Sequence, residues 1–154
     1  MRSGGSTPSR ASSDSSVLTE LRPGVYVFND AQQIELGTCS FDEVSLTVQA
    51  TVVSRSGRDV IVDAGSKALG ADRAAWATGF GRLPDVPDAR IVALSEHHAT
   101  IRLPGAETVP ELGSILRLIP NHVCSSVNLA DELFVVRDDV IVGTWTVSAR
   151  GANT

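Results

Sequence analysis

His122 and Cys124 stand two residues apart in the run Pro120-Asn121-His122-Val123-Cys124. An imidazole nitrogen and a thiolate are both good donors to a borderline cation, and the pair suits zinc. The apolar run from Ile115 to Ile119 just before them reads as a strand. If an extended backbone continues past it, residues i and i+2 share a face and both side chains can reach one metal ion. Pro120 and Asn121 would end the strand pairing and let the two project from a rim. Two ligands alone hold zinc weakly, so a surface histidine beside a buried thiol is the competing reading.

Glu96-His97-His98 forms a second cluster. On a strand, neighbours face opposite ways, so only one of these histidines could join His122; Glu96 and His98 would share a face. A solvated polar rim accounts for them as well. Asp63-Ala64-Gly65-Ser66-Lys67 follows an apolar run. A strand-to-helix turn of this kind can hold an anion on backbone N–H groups, but the spacing fits no nucleotide-binding loop. The competing reading is a turn in which Ser66 or Asp63 caps a short helix. Lys67 is the only lysine, and nothing near it in sequence points to covalent chemistry. Tyr26 and Trp76 read as core or rim residues. Cys39 reads as a small buried group, with no histidine near it in sequence.

The elements that would position these residues are short. Val25 to Val27 reads as a strand after the Pro23-Gly24 turn signal. Val44 to Val52 alternates apolar and polar, the period of a half-buried strand; Ser56-Gly57 turns the chain and Asp59 to Val62 pairs back. Gly65 and Gly70 allow only a short helix between residues 63 and 73, and the Gly- and Pro-bearing segment 76–89 reads as a loop. Arg90 to Leu94, Ala99 to Leu103 and Ile115 to Ile119 are three further strands. Glu132 to Val136 and Val140 to Val147 flank the turn Asp138-Asp139. About eight strands with frequent turns and no long helical period predict a mainly all-β, barrel-like domain with one or two short helices, over residues 19–154. Residues 1–18 are rich in Ser and Gly and read as a flexible segment.

Composition removes several classes of function. The chain has 154 residues with a formal net charge of -5 and 5% aromatics, and its pI is about 5.1. A nucleic-acid surface needs a basic face and often stacking aromatics; anionic lipid is disfavoured for the same reason. No apolar run is long enough to span a bilayer and no secretory leader is recognisable, so the expected location is cytoplasmic. In a reducing compartment Cys39 and Cys124 are expected as free thiols or as one ligand and one core thiol.

Together, four stretches resemble the C-terminal part of the D-serine dehydratase / D-threonine aldolase-like family: Leu21-Arg22-Pro23-Gly24-Val25-Tyr26-Val27-Phe28-Asn29-Asp30, Ile61-Val62-Asp63-Ala64-Gly65-Ser66-Lys67-Ala68-Leu69, Leu94-Ser95-Glu96-His97-His98, and Ile119-Pro120-Asn121-His122-Val123-Cys124-Ser125-Ser126-Val127-Asn128-Leu129. The last is the most specific. The resemblance implies an alanine racemase-type architecture, in which an N-terminal barrel binds pyridoxal phosphate through a lysine and a β-domain closes the site. It implies that His122 and Cys124 are metal ligands. Many of the family's aldolases carry aspartate at the second position, so Cys124 leans toward the zinc-dependent dehydratases, with manganese or another divalent metal open. His98 and Tyr26 map to the rim of the site, although His97 stands where the family has glutamate and Ala99 where glycine is usual. Gly5, Ser6 and Thr7 resemble the loop that holds the cofactor phosphate, which makes residues 1–18 a remnant of the last barrel strand. The Schiff-base lysine belongs to the missing barrel, so no catalytic residue is expected in this chain. The expected role is half of a lyase site acting on a small D-amino acid, inactive alone, completed by a barrel domain or a second subunit, with a homodimer open. A stand-alone, non-catalytic metal-binding or interaction domain is the alternative.

Overall fold

The computed structural model describes residues 2–5, 16 and 19–152. Its centre is a six-stranded antiparallel sheet in the order β5-β8-β3-β4-β7-β6. The strands are β3 (Val48–Ser56), β4 (Asp59–Val62), β5 (Gly81–Arg82), β6 (Arg90–Leu94), β7 (Ala99–Arg102) and β8 (Ile115–Pro120). The sheet curls until its edges meet: the Phe80 N–H donates to the Ile91 carbonyl at 2.8 Å, linking the β5 edge to the β6 edge. The result is a nearly closed barrel, and the mainly all-β expectation holds. Gly79 permits the close approach: a Cβ there would lie 2.7 Å from the Ile91 carbonyl oxygen.

The interior follows the period of two. Ala50 and Val52, Val60 and Val62, Ala99 and Ile101, with Ile91, Leu118, Leu83 and Leu69, form one buried cluster. Each fully buried Val, Leu or Ile contributes about 1.5–3 kcal/mol relative to exposure. Register shifts interrupt the β3–β4 pairing between Val52 and Ser54 and the β6–β7 pairing between Ile91 and Ala93. Past the first of these, Ser54, Arg55 and Ser56 turn outward.

Outside the barrel lie three short helices, α1 (Ala31–Glu35), α2 (Ser66–Leu69) and α3 (Val123–Leu129). The parallel pair β1 (Arg2–Gly5) and β2 (Glu20–Pro23) and the terminal hairpin β9 (Glu132–Arg137) and β10 (Val140–Thr146) form two further small sheets. A second cluster of Val25, Leu46 and Val123, flanked by Phe28, Val127 and Leu133, packs α3 against the segments before β3 and against β9.

Two predicted strand positions are corrected. Val25–Val27 is a 3-10 turn, because only Val25 turns inward while Tyr26 and Val27 are exposed. The strand expected from Val44 begins at Val48. The Ser40/Glu43 capping box opens a 3-10 turn over Phe41–Glu43, and the Ser45 N–H goes to the Phe28 carbonyl. No helix among the described residues is long and apolar enough to cross a membrane.

Candidate metal-binding site

Strand β8 ends at Pro120, and Asn121 fastens the chain that follows. Its buried amide donates to the carbonyls of Asp72 (3.1 Å) and Gly79 (2.8 Å). Its own carbonyl accepts from the Gln32 N–H at 3.3 Å. The expectation of an extended backbone through Cys124 is corrected here. His122 is extended (φ -131°, ψ 105°) but is the N-cap of α3, and Cys124 lies in that helix's first turn. The cause is visible in the sequence: Val123 and Val127 are four apart, a helical spacing, and both pack into the second cluster. Val123 is buried, whereas His122 is half-buried and Cys124 exposed. The buried-thiol reading of Cys124 therefore fails.

The His122 ring is held from one side. Its Nδ1 lies 2.7 Å from Asp72 Oδ2, and the Ser125 hydroxyl donates to the same oxygen at 2.8 Å. An ionised carboxylate only accepts, so Nδ1 carries the proton and, in the neutral ring, Nε2 keeps its lone pair. The bonds from Ser125 and then His122 hold the Asp72 carboxyl below the usual carboxylate range.

A second carboxylate shapes the segment from beneath. Asp30 is buried; Oδ1 accepts the Gln33 N–H at 3.0 Å and Oδ2 the Val123 N–H at 3.1 Å. Burial pushes its carboxyl above the ordinary range despite these bonds. The thiol of Cys124, an exposed residue, is likewise pushed up, first by partial loss of solvent around the group and then by the charges of Asp30 and Asp72, against a backbone hydrogen bond that lowers it. It is a thiol at neutral pH, and a metal would have to displace its proton.

The other expected residues do not join this cluster. His98 lines an open groove with Val53, Ser54, Ile61, Ala93, Leu94, Ser95 and Thr100, which neither His122 nor Cys124 lines. Residues 95–98 form a turn, not a strand, so the facing rule applied to Glu96, His97 and His98 does not hold. Glu96 pairs with Lys67 at 2.8 Å, and His97 Nε2 lies 3.4 Å from Lys67 Nζ. The anion-loop reading of residues 63–67 is removed as well, because the Ser66 and Lys67 N–H groups donate to the carbonyls of Ser95 (2.8 Å) and Glu96 (3.1 Å). Neither Ser66 nor Asp63 caps α2: its N-cap is Gly65, with no side-chain bond, and Asp63 Oδ1 accepts the Thr51 N–H at 2.6 Å. Tyr26 is exposed on the turn whose Val25 packs against Val123. Gly5 ends β1; Ser6 and Thr7 lie outside the described residues.

The donor types fit half of a zinc site, an oriented imidazole on His122 and an exposed thiol on Cys124, but with α3 beginning at Val123 the shared face of an extended strand no longer brings the two together. Among the described residues no group of three or more His, Cys, Asp or Glu could hold a metal ion. Pyridoxal phosphate finds no such fit: the only lysine is exposed and paired with Glu96, away from this cluster.

Residues 45–136, more than half of the chain, match the family described as "Putative serine dehydratase domain". The chain belongs to the D-serine dehydratase-like C-terminal domain family. An uncharacterized protein of Mycobacterium tuberculosis is 56% identical over 132 residues, covering 82% of this chain and 99% of the relative. D-threonine aldolase of an Arthrobacter species is 40% identical over 155 residues, covering 96% of this chain and 38% of the aldolase. This domain thus spans well under half of that enzyme. The structure of D-threo-3-hydroxyaspartate dehydratase from a Delftia species superimposes with a TM-score of 0.70 at 28% identity, over 84% of this chain and 38% of the dehydratase. That dehydratase is also known as a histidine-to-alanine variant and as a cysteine-to-alanine variant in the metal-free form, the two substituted positions lying two apart.

Proposed function

We propose that this chain is the metal-binding β-domain of a pyridoxal-phosphate-dependent D-amino-acid lyase, with zinc on His122 Nε2 and Cys124, acting only when a barrel domain or second subunit supplies the cofactor. The observation that carries the reading is the His122–Asp72 bond, which leaves Nε2 free two residues from an exposed thiol. The same spacing separates the histidine and cysteine substituted in the Delftia dehydratase, whose cysteine variant is described as metal-free. When bound, such a metal acts as a Lewis acid on a substrate oxygen. This chain's part is to present the two donors, with Asp72 holding the Nδ1 proton and Asp30 fixing the backbone at Val123.

The terminal hairpin supports a partner. Phe134, Val136, Val140, Ile141 and Trp145 are exposed along it, and a lone two-stranded hairpin is marginal in water. In the assembled site, Gly5, Ser6 and Thr7 are assigned to the cofactor phosphate, with Tyr26 and His98 at the rim.

The purified chain is expected to bind zinc weakly, as a two-ligand site does, and to lose that binding on His122→Ala or Cys124→Ala. Alone it should neither develop the absorbance of bound pyridoxal phosphate nor release pyruvate from D-serine. Zinc retained in full by both variants would overturn the ligand assignment; pyruvate release by the isolated chain would overturn the dependence on a barrel.

A second reading, a stand-alone metal-binding domain without catalysis, is favoured by the Mycobacterium tuberculosis relative, of which this chain matches 99%. The two readings separate on mixing with a separately expressed barrel of the family. The first expects lyase activity to appear; the second expects zinc binding and no activity.

A further inference from the structure

We infer that Asp72 is the positioning residue of the site: it selects the tautomer of His122 and so determines which ring nitrogen can meet a metal. The inference rests on the metal-binding reading above and adds a residue to it. Asp72 lies 50 positions before His122, in the segment after α2, and does not touch a metal in this account. It acts through the His122 ring.

Free neutral imidazole exchanges between two tautomers, and the hydrogen bond made by one nitrogen decides the state of the other. Asp72 Oδ2 accepts the hydrogen bond of the Nδ1–H at 2.7 Å. Its own position is fixed twice. The Ser125 hydroxyl donates to the same oxygen from one turn further along α3, and the Asn121 amide holds the Asp72 carbonyl. The residues on both sides of His122 therefore grip the aspartate that orients it. This matters because the Asp72 side chain is 55% exposed. A side-chain contact so exposed adds little stability, as even exposed ion pairs do, so three converging bonds on it are better explained by orientation than by fold stability. A carboxylate behind a metal-binding imidazole also makes the ring a better donor, and losing such a partner typically weakens metal binding about 10–100-fold.

The test reads the proton directly in metal-free protein. Long-range 1H–15N correlation spectra of histidine-labelled chain, with His122 assigned by its loss in His122→Ala, report which ring nitrogen is protonated. In the neutral ring of the wild type Nδ1 should be protonated and Nε2 bare. In Asp72→Ala the proton should move toward Nε2, and zinc affinity, measured by chelator competition, should fall about 10–100-fold. Asp72→Asn keeps an acceptor oxygen and should restore most of both. A His122 tautomer unchanged in Asp72→Ala would overturn the inference whatever the zinc affinity. Should that variant fail to fold, Asp72→Asn and Ser125→Ala give the answer: both should shift the Nδ1 signal part-way, and no shift in either would overturn it. A tautomer that follows Asp72 in a chain that binds no zinc would leave the inference standing and sink the metal-site reading instead.

Discussion

The Asp30 carboxylate accepts the Val123 N–H through Oδ2 at 3.1 Å, joining residues 93 apart, while its Oδ1 starts α1 at Gln33. One buried side chain thus caps two helices, and the second carries Cys124. Asparagine offers one acceptor oxygen and turns an N–H toward the other donor, leaving one buried group unsatisfied. Asp30→Asn is expected to cost about 1–3 kcal/mol, and Asp30→Ala, which abandons both N–H groups, more. Zinc affinity should fall in both variants as the start of α3 loosens. Denaturation midpoints within experimental error of the wild type would show that Asp30 does not hold the segment.

Gly65 sits where α2 meets the 95–98 turn. A Cβ there would lie 2.3 Å from the Ser95 carbonyl oxygen, 2.5 Å from the His98 nitrogen and 2.6 Å from the Glu96 carbonyl carbon. All three are backbone atoms and cannot swing aside. Relief requires separating the turn from α2, which breaks the bonds that Ser66 and Lys67 make to it. Gly65→Ala should therefore cost about 3 kcal/mol or more, in the range kept for overpacking and broken networks. Gly105→Ala, which meets nothing within 4 Å at an ordinary φ, should stay within about 0.5 kcal/mol. Equal urea midpoints for the two variants would refute the argument.

The barrel was legible because short apolar runs bounded by turn residues need only local sequence: β4, β6, β7, β8 and the terminal hairpin fall where those runs placed them, whereas the one strand read from strict alternation, Val44 to Val52, starts four residues late, at Val48. The helical start at Val123 was also readable, since Val123 and Val127 are one helical turn apart, but the apolar run before it drew the strand reading onward. Asp30 had a signal too: an aspartate directly before Ala31-Gln32-Gln33 fits an N-cap. Its second bond, to Val123, had none. Asp72 was invisible for the same reason. It meets His122 only because Asn121 fastens the end of β8 to the Asp72 and Gly79 carbonyls, and no pattern in residues 70–74 announces that contact. Lys67 and the Glu96 cluster were individually noticed, yet their pairing is a product of the turn packed on Gly65.

Acid should weaken the fold through its surface carboxylates. Asp85 is bound by Arg117 across 32 residues, and Asp59 by Arg102 on the neighbouring strand; both carboxyls are held below their ordinary value of 3.8 by these bonds. A depressed folded pKa contributes stability above 3.8 that is lost as pH falls through the folded value. Asp30 has the opposite sign, because its raised pKa makes its contribution greatest at low pH. Asp85→Asn should lower stability at neutral pH by about 0.2–1 kcal/mol, as expected for an exposed pair, and should lose less than the wild type on acidification below 3.8. Parallel acid-unfolding curves for the two proteins would exclude a role for this pair.

The two thiols provide a test of Cys124 as a ligand that does not depend on activity. Cys124 is exposed and Cys39 less so, and neither is in a disulfide. Both have raised pKa values, Cys39 by burial first and then by Glu43 and Asp30, and Cys124 by partial loss of solvent first and then by Asp30. Attack on a disulfide reagent requires thiolate, so both should react slowly, with Cys124 ahead through its exposure. In a Cys39→Ser background one thiol remains, and its rate reads the site alone. Zinc should slow that reaction by about tenfold or more, since coordination draws charge off the sulfur and shields it from the reagent, and a chelator should restore it. His122→Ala in the same background should abolish the protection. If zinc protects Cys124 equally with and without His122, the thiol binds metal by itself and the paired-ligand site is wrong.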